Sequence, residues 1–208
     1  MDFEKIRSDS TSSLALLGFP KPATLPFLDG EAKIRSLDEI ESRSLALSVV
    51  VAVAYGFPRE RAMSWLDQER LAQSLSDGER TFLEKKDASN SRRFQVQAEA
   101  LCTFAWTLGY LPALDFSLQC PENLVQIYPD FRGAESSKRF RGGASLISAD
   151  AIFSTLDLAY CLHWGVNEAL LSGSVVPSNV QYHVVTERRR ALEWITSGDD
   201  WDGVSLDT

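Results

Sequence analysis

No apolar run in this chain is long enough to cross a bilayer. The longest, residues 45–55, is interrupted by Ser48 and falls well short of the roughly 20 residues a membrane helix needs. Cysteine is scarce: Cys102, Cys120 and Cys161 are odd in number and far apart, with no CxxC or other metal-ligand spacing, the usage of free thiols in a reducing compartment. Histidine is scarcer still, with only His163 and His183. HExxH, a GxSxG nucleophile elbow, a GxxxxGKS or GxxxxGKT phosphate loop and GxGxxG are all missing, which removes the sequence support for zinc proteases, serine hydrolases and common nucleotide binders. Basic residues are outnumbered, 21 against 29 acidic, for a formal charge of -8. That balance disfavours a nucleic-acid or anionic-membrane surface and suits a basic partner. The first residues, MDFEKIRSDSTSS, lack the basic region and apolar core of a secretory signal, so the expected location is the cytoplasm.

What is present is a chain of 208 residues, 44% of them hydrophobic, long enough to bury about 70% of its unfolded surface without a metal or disulfide. Its apolar residues recur at helical spacing. Ser36 followed by Glu39 is a capping box, in which the Ser oxygen accepts from a free amide and the Glu reaches back to the cap. Leu37, Ile40, Ser44, Leu47, Val51 and Ala54 then share a face, and Gly56 closes the helix. Pro58 suits the first position of a second helix, over 58–71. Ser76 and Glu79 repeat the capping box ahead of a helix over 77–85, and a charged turn over 85–91 separates it from the next.

The spacing of Phe94, Ala98, Leu101, Cys102, Ala105 and Leu108 predicts one central helix over 92–108, stopped by Gly109 and Pro112. Prolines and glycines make 112–147 irregular, with one or two short helices. Ser148 opens a long helix that Gly173 ends, and a final helix over 178–196 is closed by Gly198. Alternating runs of β-branched residues are absent, so no sheet is expected. The fold class is therefore all-α: a single-domain bundle of about six to eight helices over 36–208, preceded by an amino-terminal helix and mobile Pro-containing arm over 1–35.

Four groups of residues could carry chemistry. If the last two helices are antiparallel, His163 and Tyr160 on one could meet His183 and Glu187 on the other, forming a pocket for a small molecule or metal. The absent ligand spacing favours hydrogen-bonded core histidines, and neither a metal nor a cofactor is expected. Lys138, Arg139 and Arg141 with Gly142 and Gly143 could cradle an anion, but a solvated connection is the plainer reading. Arg188, Arg189 and Arg190 point to three sides of their helix, so at most one or two face inward. In the tail DDWDGVSLDT, Asp199, Asp200 and Asp202 surround Trp201. A ring of that size is poorly spent in water, so the tail is expected to dock on the bundle.

The ordered segments SLDEIESRSLAL at 36–47, LSDGERTFL at 75–83, EALCTFAWTLGYLP at 99–112, LDLAYCLHWGVNEA at 156–169, VVTERRRALEWIT at 184–196 and the terminal WDGVSLDT resemble a bacterial family catalogued as domain of unknown function 4272. The chain departs from that pattern at Glu193, where Asn is frequent, and at Gly203, where Asp is frequent. The resemblance covers most of the chain and implies a helical, cytosolic bacterial protein with no catalytic residues to carry over.

With no active-site set and a charge of -8, the function expected first is a non-catalytic protein-binding module. An immunity protein that neutralises a basic bacterial toxin is one instance, with Asp199, Asp200 and Asp202 as contact residues. The alternative is an enzyme or small-molecule binder using Tyr160, His163, His183 and Glu187.

Overall fold

The computed structural model describes residues 2–22, 24–28, 32–85, 91–177 and 179–208. Of the charged turn expected at 85–91, residues 86–90 lie outside this set, as does Ser178, the expected first residue of the last helix. Among the described residues there is no strand, and seven helices of eight or more residues make up the bundle: α1 (Phe3–Leu16), α2 (Leu37–Ala54), α3 (Arg59–Gln68), α4 (Asp77–Glu84), α6 (Ala98–Thr107), α8 (Ala149–Leu171) and α9 (Tyr182–Thr196). Two shorter turns, α5 (Ser91–Gln95) and α7 (Lys138–Gly143), complete the set.

The packing order differs from the chain order. α1 and α9 both lie on α8, α9 also packs on α6, and α6 packs on α2, around which α3, α4 and α5 gather. α2 is buried on nearly every side, including Ile40, Leu45, Leu47 and Val50 at 0% exposure. Both predicted capping boxes form, Ser36 with Glu39 and Ser76 with Glu79.

The expected amino-terminal helix forms as α1 and runs parallel to α8, with Phe3 against Phe153, Arg7 paired to Asp157 at 2.7 Å, and Phe19 against Gly165. Three expectations are corrected. The helix expected over 92–108 breaks at Val96 and Gln97. There the Gln97 and Glu99 amides take three-residue bonds to Phe94 and Val96, and the Gln95 side chain donates to the Ala54 carbonyl. The second helix begins one residue later and ends three residues earlier than 58–71, with Pro58 as its cap. Finally, Gly198 does not cap α9. The helix ends into an extended Ser197, and its last carbonyls are taken from outside. The Arg35 amide donates to the Ile195 carbonyl at 2.9 Å and the Arg35 Nε to that of Trp194 at 2.7 Å, satisfying acceptors that a helix end leaves open.

The irregular 112–147 segment is held in place by long-range contacts. Phe140 is stacked against Tyr110 and Tyr128, each with ring centroids 5.2 Å away. The Tyr128 hydroxyl donates to the Leu101 carbonyl at 2.8 Å, and the Ser145 and Ile147 amides donate to carbonyls at the end of α6.

Candidate functional site

Acidic residues collect where helix amides are unpaired, because the positive end of the helix dipole and the free N–H groups stabilise a carboxylate. α2 begins with Asp38 and Glu39, and α4 with Asp77 and Glu79. The two helix starts come together because Arg43, buried on α2, pairs with the fully buried Glu79 on α4. It makes a 2.8 Å bond to Oε2, a second, shorter contact to Oε1, and a 2.8 Å bond to the Ser74 carbonyl.

The tail closes the third side. Trp201 is 5% exposed, with its ring 5.8 Å from Phe104 and 6.3 Å from Trp194, so the expected docking on the bundle occurs. Arg43 lies 4.3 Å from the Trp201 ring centre and Arg35 lies 4.1 Å from that of Trp194, cation–π contacts that fix both arginines. Asp202 then accepts from the Ser76 hydroxyl at 3.0 Å and the Gly78 amide at 2.8 Å, adding a third carboxylate to the start of α4 after Asp77 and Glu79.

The result is an open groove of about 760 Å³. Six carboxylates line it, those of Asp38, Glu39, Asp77, Asp199, Asp200 and Asp202, against two arginines, Arg35 and Arg43. All six acidic residues are exposed. Both arginines are occupied internally: Arg43 by Glu79, and Arg35 by the Trp194 and Asp199 carbonyls and by Glu39. Hydrogen bonds from Ser36 hold Glu39 below the usual carboxylate range, so it stays ionised. Glu39 is paired with Arg35 and Asp38 with Arg141, so the unpaired negative charge of the groove, among the described residues, is that of Asp77, Asp199, Asp200 and Asp202, beside two buried indoles.

The other sequence-predicted residues do not converge. Tyr160 and His163 do meet, through Arg189, whose guanidinium lies 4.4 Å from the Tyr160 ring centre and donates to His163 Nδ1 at 2.7 Å. Because arginine only donates, the His163 proton is on Nε2, a buried atom without a partner among the described residues. Burial, then the Arg189 charge, lowers the His163 pKa to about 4, so the ring is neutral at pH 7. Tyr182 is the α9 residue facing it, with ring centroids 5.7 Å apart. His183 lies about 100° further round the helix, and Glu187 turns to Arg190 at 3.3 Å. Among the described residues, no three His, Cys, Asp or Glu side chains are grouped to hold a metal.

The arginine run is sorted as its spacing predicts, with Arg188 and Arg189 buried and Arg190 half-buried. Arg189 donates to the Leu206 and Asp207 carbonyls at 3.0 Å each, so the tail meets the run through its backbone instead of its carboxylates. The basic segment at 138–143 is a helical turn, not an anion loop. Arg139 is paired with Glu135, and Arg141 with Asp38 and Glu41. All three thiols are free, and burial pushes Cys102 up to about 11 and Cys120 and Cys161 up to about 12, which suppresses the nucleophilic thiolate.

Of the groove's carboxylates, the sequence singles out Asp199, Asp200 and Asp202 but not Asp38, Glu39 and Asp77, whose places in first helical turns explain them without a shared groove. The signal that could have joined them is the repeated capping box, which put two helix starts with the same acidic pattern in one chain.

No helix among the described residues is long and apolar enough to cross a membrane. Compared with known families, the chain matches the model described as Domain of unknown function (DUF4272) over residues 7–204. No curated protein and no solved structure matches it.

Proposed function

The chain belongs to the DUF4272 family, and on the geometry of its groove we propose that it is a non-catalytic protein-binding module for a basic partner. The observation that carries this reading is the six-carboxylate groove whose own arginines are spoken for. Such a surface attracts a Lys- or Arg-bearing segment. The net charge of -8 steers the same partner from a distance. Neutralisation of a bacterial toxin by a cytoplasmic immunity protein is the form of this function that fits an acidic surface without catalytic groups.

The test is affinity capture from the native host, with the wild-type chain and an Asp77→Asn/Asp199→Asn/Asp200→Asn variant as paired baits. A basic protein is expected on the wild-type bait, about tenfold depleted on the variant and released by about 0.5 M salt, where the screening length falls to a few ångströms. A partner held equally by both baits, or none held by either at low salt, sinks the reading.

A further inference from the structure

A second cavity, sharing no lining residue with the acidic groove, has mainly apolar and aromatic walls with charged residues also in its lining. It lies between the C-terminal half of α2, the start of α6 and residues 120–132, and has a volume of about 760 Å³, within the several-hundred-Å³ range of sites for drug-sized ligands. Tyr55, Phe57, Tyr128 and Phe131 line it with rings, and Val51, Leu101, Leu124 and Val125 fill the spaces between. Tyr55 and Val125 at its mouth are 67% and 73% exposed, an uncovered apolar rim next to a concave apolar floor.

The cavity is held open by bonds that do not depend on an occupant. Arg139 donates to the Tyr128 carbonyl at 2.8 Å and Arg61 to the Arg132 carbonyl at 2.8 Å. The Trp65 indole donates to the Glu135 carbonyl at 2.8 Å. These contacts fix residues 127–135 against α3 and α7, so the walls cannot fall inward without breaking them.

The buried hydroxyls of the lining are already satisfied, while its Glu122, Gln126 and Arg132 side chains are exposed to water. The Tyr128 hydroxyl bonds to the Leu101 carbonyl and Ser44, and the Ser48 hydroxyl to the Leu45 carbonyl. Glu135 is paired with Arg139, and Asp130 accepts from the Arg132 amide. Among the described residues, every buried side-chain polar atom without a partner belongs to Arg43, Arg59, Gln97, Thr107 or His163, none of which lines this cavity. A charged group seated on the buried floor formed by Val51, Leu101, Leu124 and Tyr128 would lose its hydration without compensation. We propose that this cavity is a binding site for a neutral, largely apolar small molecule with a ring system. Its preference for rings follows from offset and edge contacts with the four aromatic walls.

The test uses N-phenyl-1-naphthylamine, neutral at pH 7, whose fluorescence rises in apolar surroundings, titrated with the full chain. Saturable one-to-one binding in roughly the micromolar range is expected. Ala52→Phe and Ala98→Leu, which fill the cavity from its two helices, are each expected to weaken binding at least about tenfold with helical circular dichroism intact. Val125→Asp, an exposed position, provides the same reading if either filled variant does not fold. Asp199→Asn/Asp200→Asn is expected to bind the probe as wild type does, so failure here is separate from failure of the acidic groove. Non-saturable fluorescence in the wild type, or equal affinity in the folded cavity variants, overturns the proposal.

Discussion

Arg188 and Glu99 meet across the contact of α9 with α6, and neither side chain is more than 4% exposed. Arg188 donates through Nε at 2.9 Å and Nη2 at 2.6 Å to one carboxylate oxygen, while the other oxygen accepts from the Cys120 amide at 2.9 Å. The remaining donors reach the Asp115 carbonyl at 2.6 Å and the Leu118 carbonyl at 3.0 Å. One ion pair thus ties two helices to the irregular segment between Pro112 and Pro121.

Removing one partner leaves a buried charge without its complement, a change that costs about 3–5 kcal/mol. Arg188→Met is therefore expected to destabilise the chain by that amount in urea unfolding, and more than Arg190→Met, whose side chain is 23% exposed and makes one longer bond, 3.3 Å, to Glu187. Equal losses for the two variants would show that the 115–120 segment is anchored by something else.

Asp202 anchors the tail by occupying the start of α4, so Asp202→Ala removes two hydrogen bonds and a charge from unpaired helix amides. The loss expected is about 1 kcal/mol, as for other N-terminal caps. Limited proteolysis is the sharper readout: the segment after Ser197 should be cut several-fold faster than in wild type, following its greater local opening. Asp200→Ala, whose carboxylate makes no cap bond, should be cut at the wild-type rate.

The parts of this fold legible in the sequence are those set by neighbouring residues. Ser36 with Glu39 and Ser76 with Glu79 give helix starts because the bonding partners are three residues apart. Gly109, at φ +78°, gives a helix stop because its amide and that of Tyr110 close back on α6. What escaped was written between distant residues. The cap of α9 is Arg35, from the other end of the chain, so Gly198 was a reasonable but wrong local substitute. Asp199 and Asp200 stood out in the tail, yet their groove needs Asp38 and Asp77 from two other segments. The aromatic cavity depends on residues 120–132, whose path no periodicity specifies.

Gly165 on α8 is required by contact, not by backbone conformation. A Cβ there would stand 2.9 Å from the Phe19 ring, which is 4% exposed, whereas one at Gly198 would meet nothing within 4 Å. Gly165→Ala is expected to cost about 1–3 kcal/mol through overpacking, and Gly198→Ala to be nearly neutral. Because Phe19 follows α1, the first variant should also speed amide exchange in residues 3–16. Exchange that rises evenly over the whole chain would mean that α1 does not open as a separate unit.

His163 links stability to acid. Its folded pKa of about 4 lies below the ordinary 6.5 because burial and Arg189 both oppose a second positive charge. Between those values the unfolded chain takes up the proton and the folded chain does not, so the stabilisation is complete above pH 6.5 and is lost as pH falls towards 4. At pH 5 the loss from this residue is about 2 kcal/mol, from 1.36 kcal/mol per pKa unit. His163→Gln keeps an acceptor for Arg189 and cannot titrate. Its stability should fall by about 2 kcal/mol less than that of wild type between pH 7 and pH 5. Glu187 and Glu193, both raised mainly by burial, contribute the opposite sign, a gain on acidification, and are common to both chains. Identical pH dependence in the two chains would mean that the imidazole is reached by water and that its seat beside Arg189 and Tyr182 is not closed.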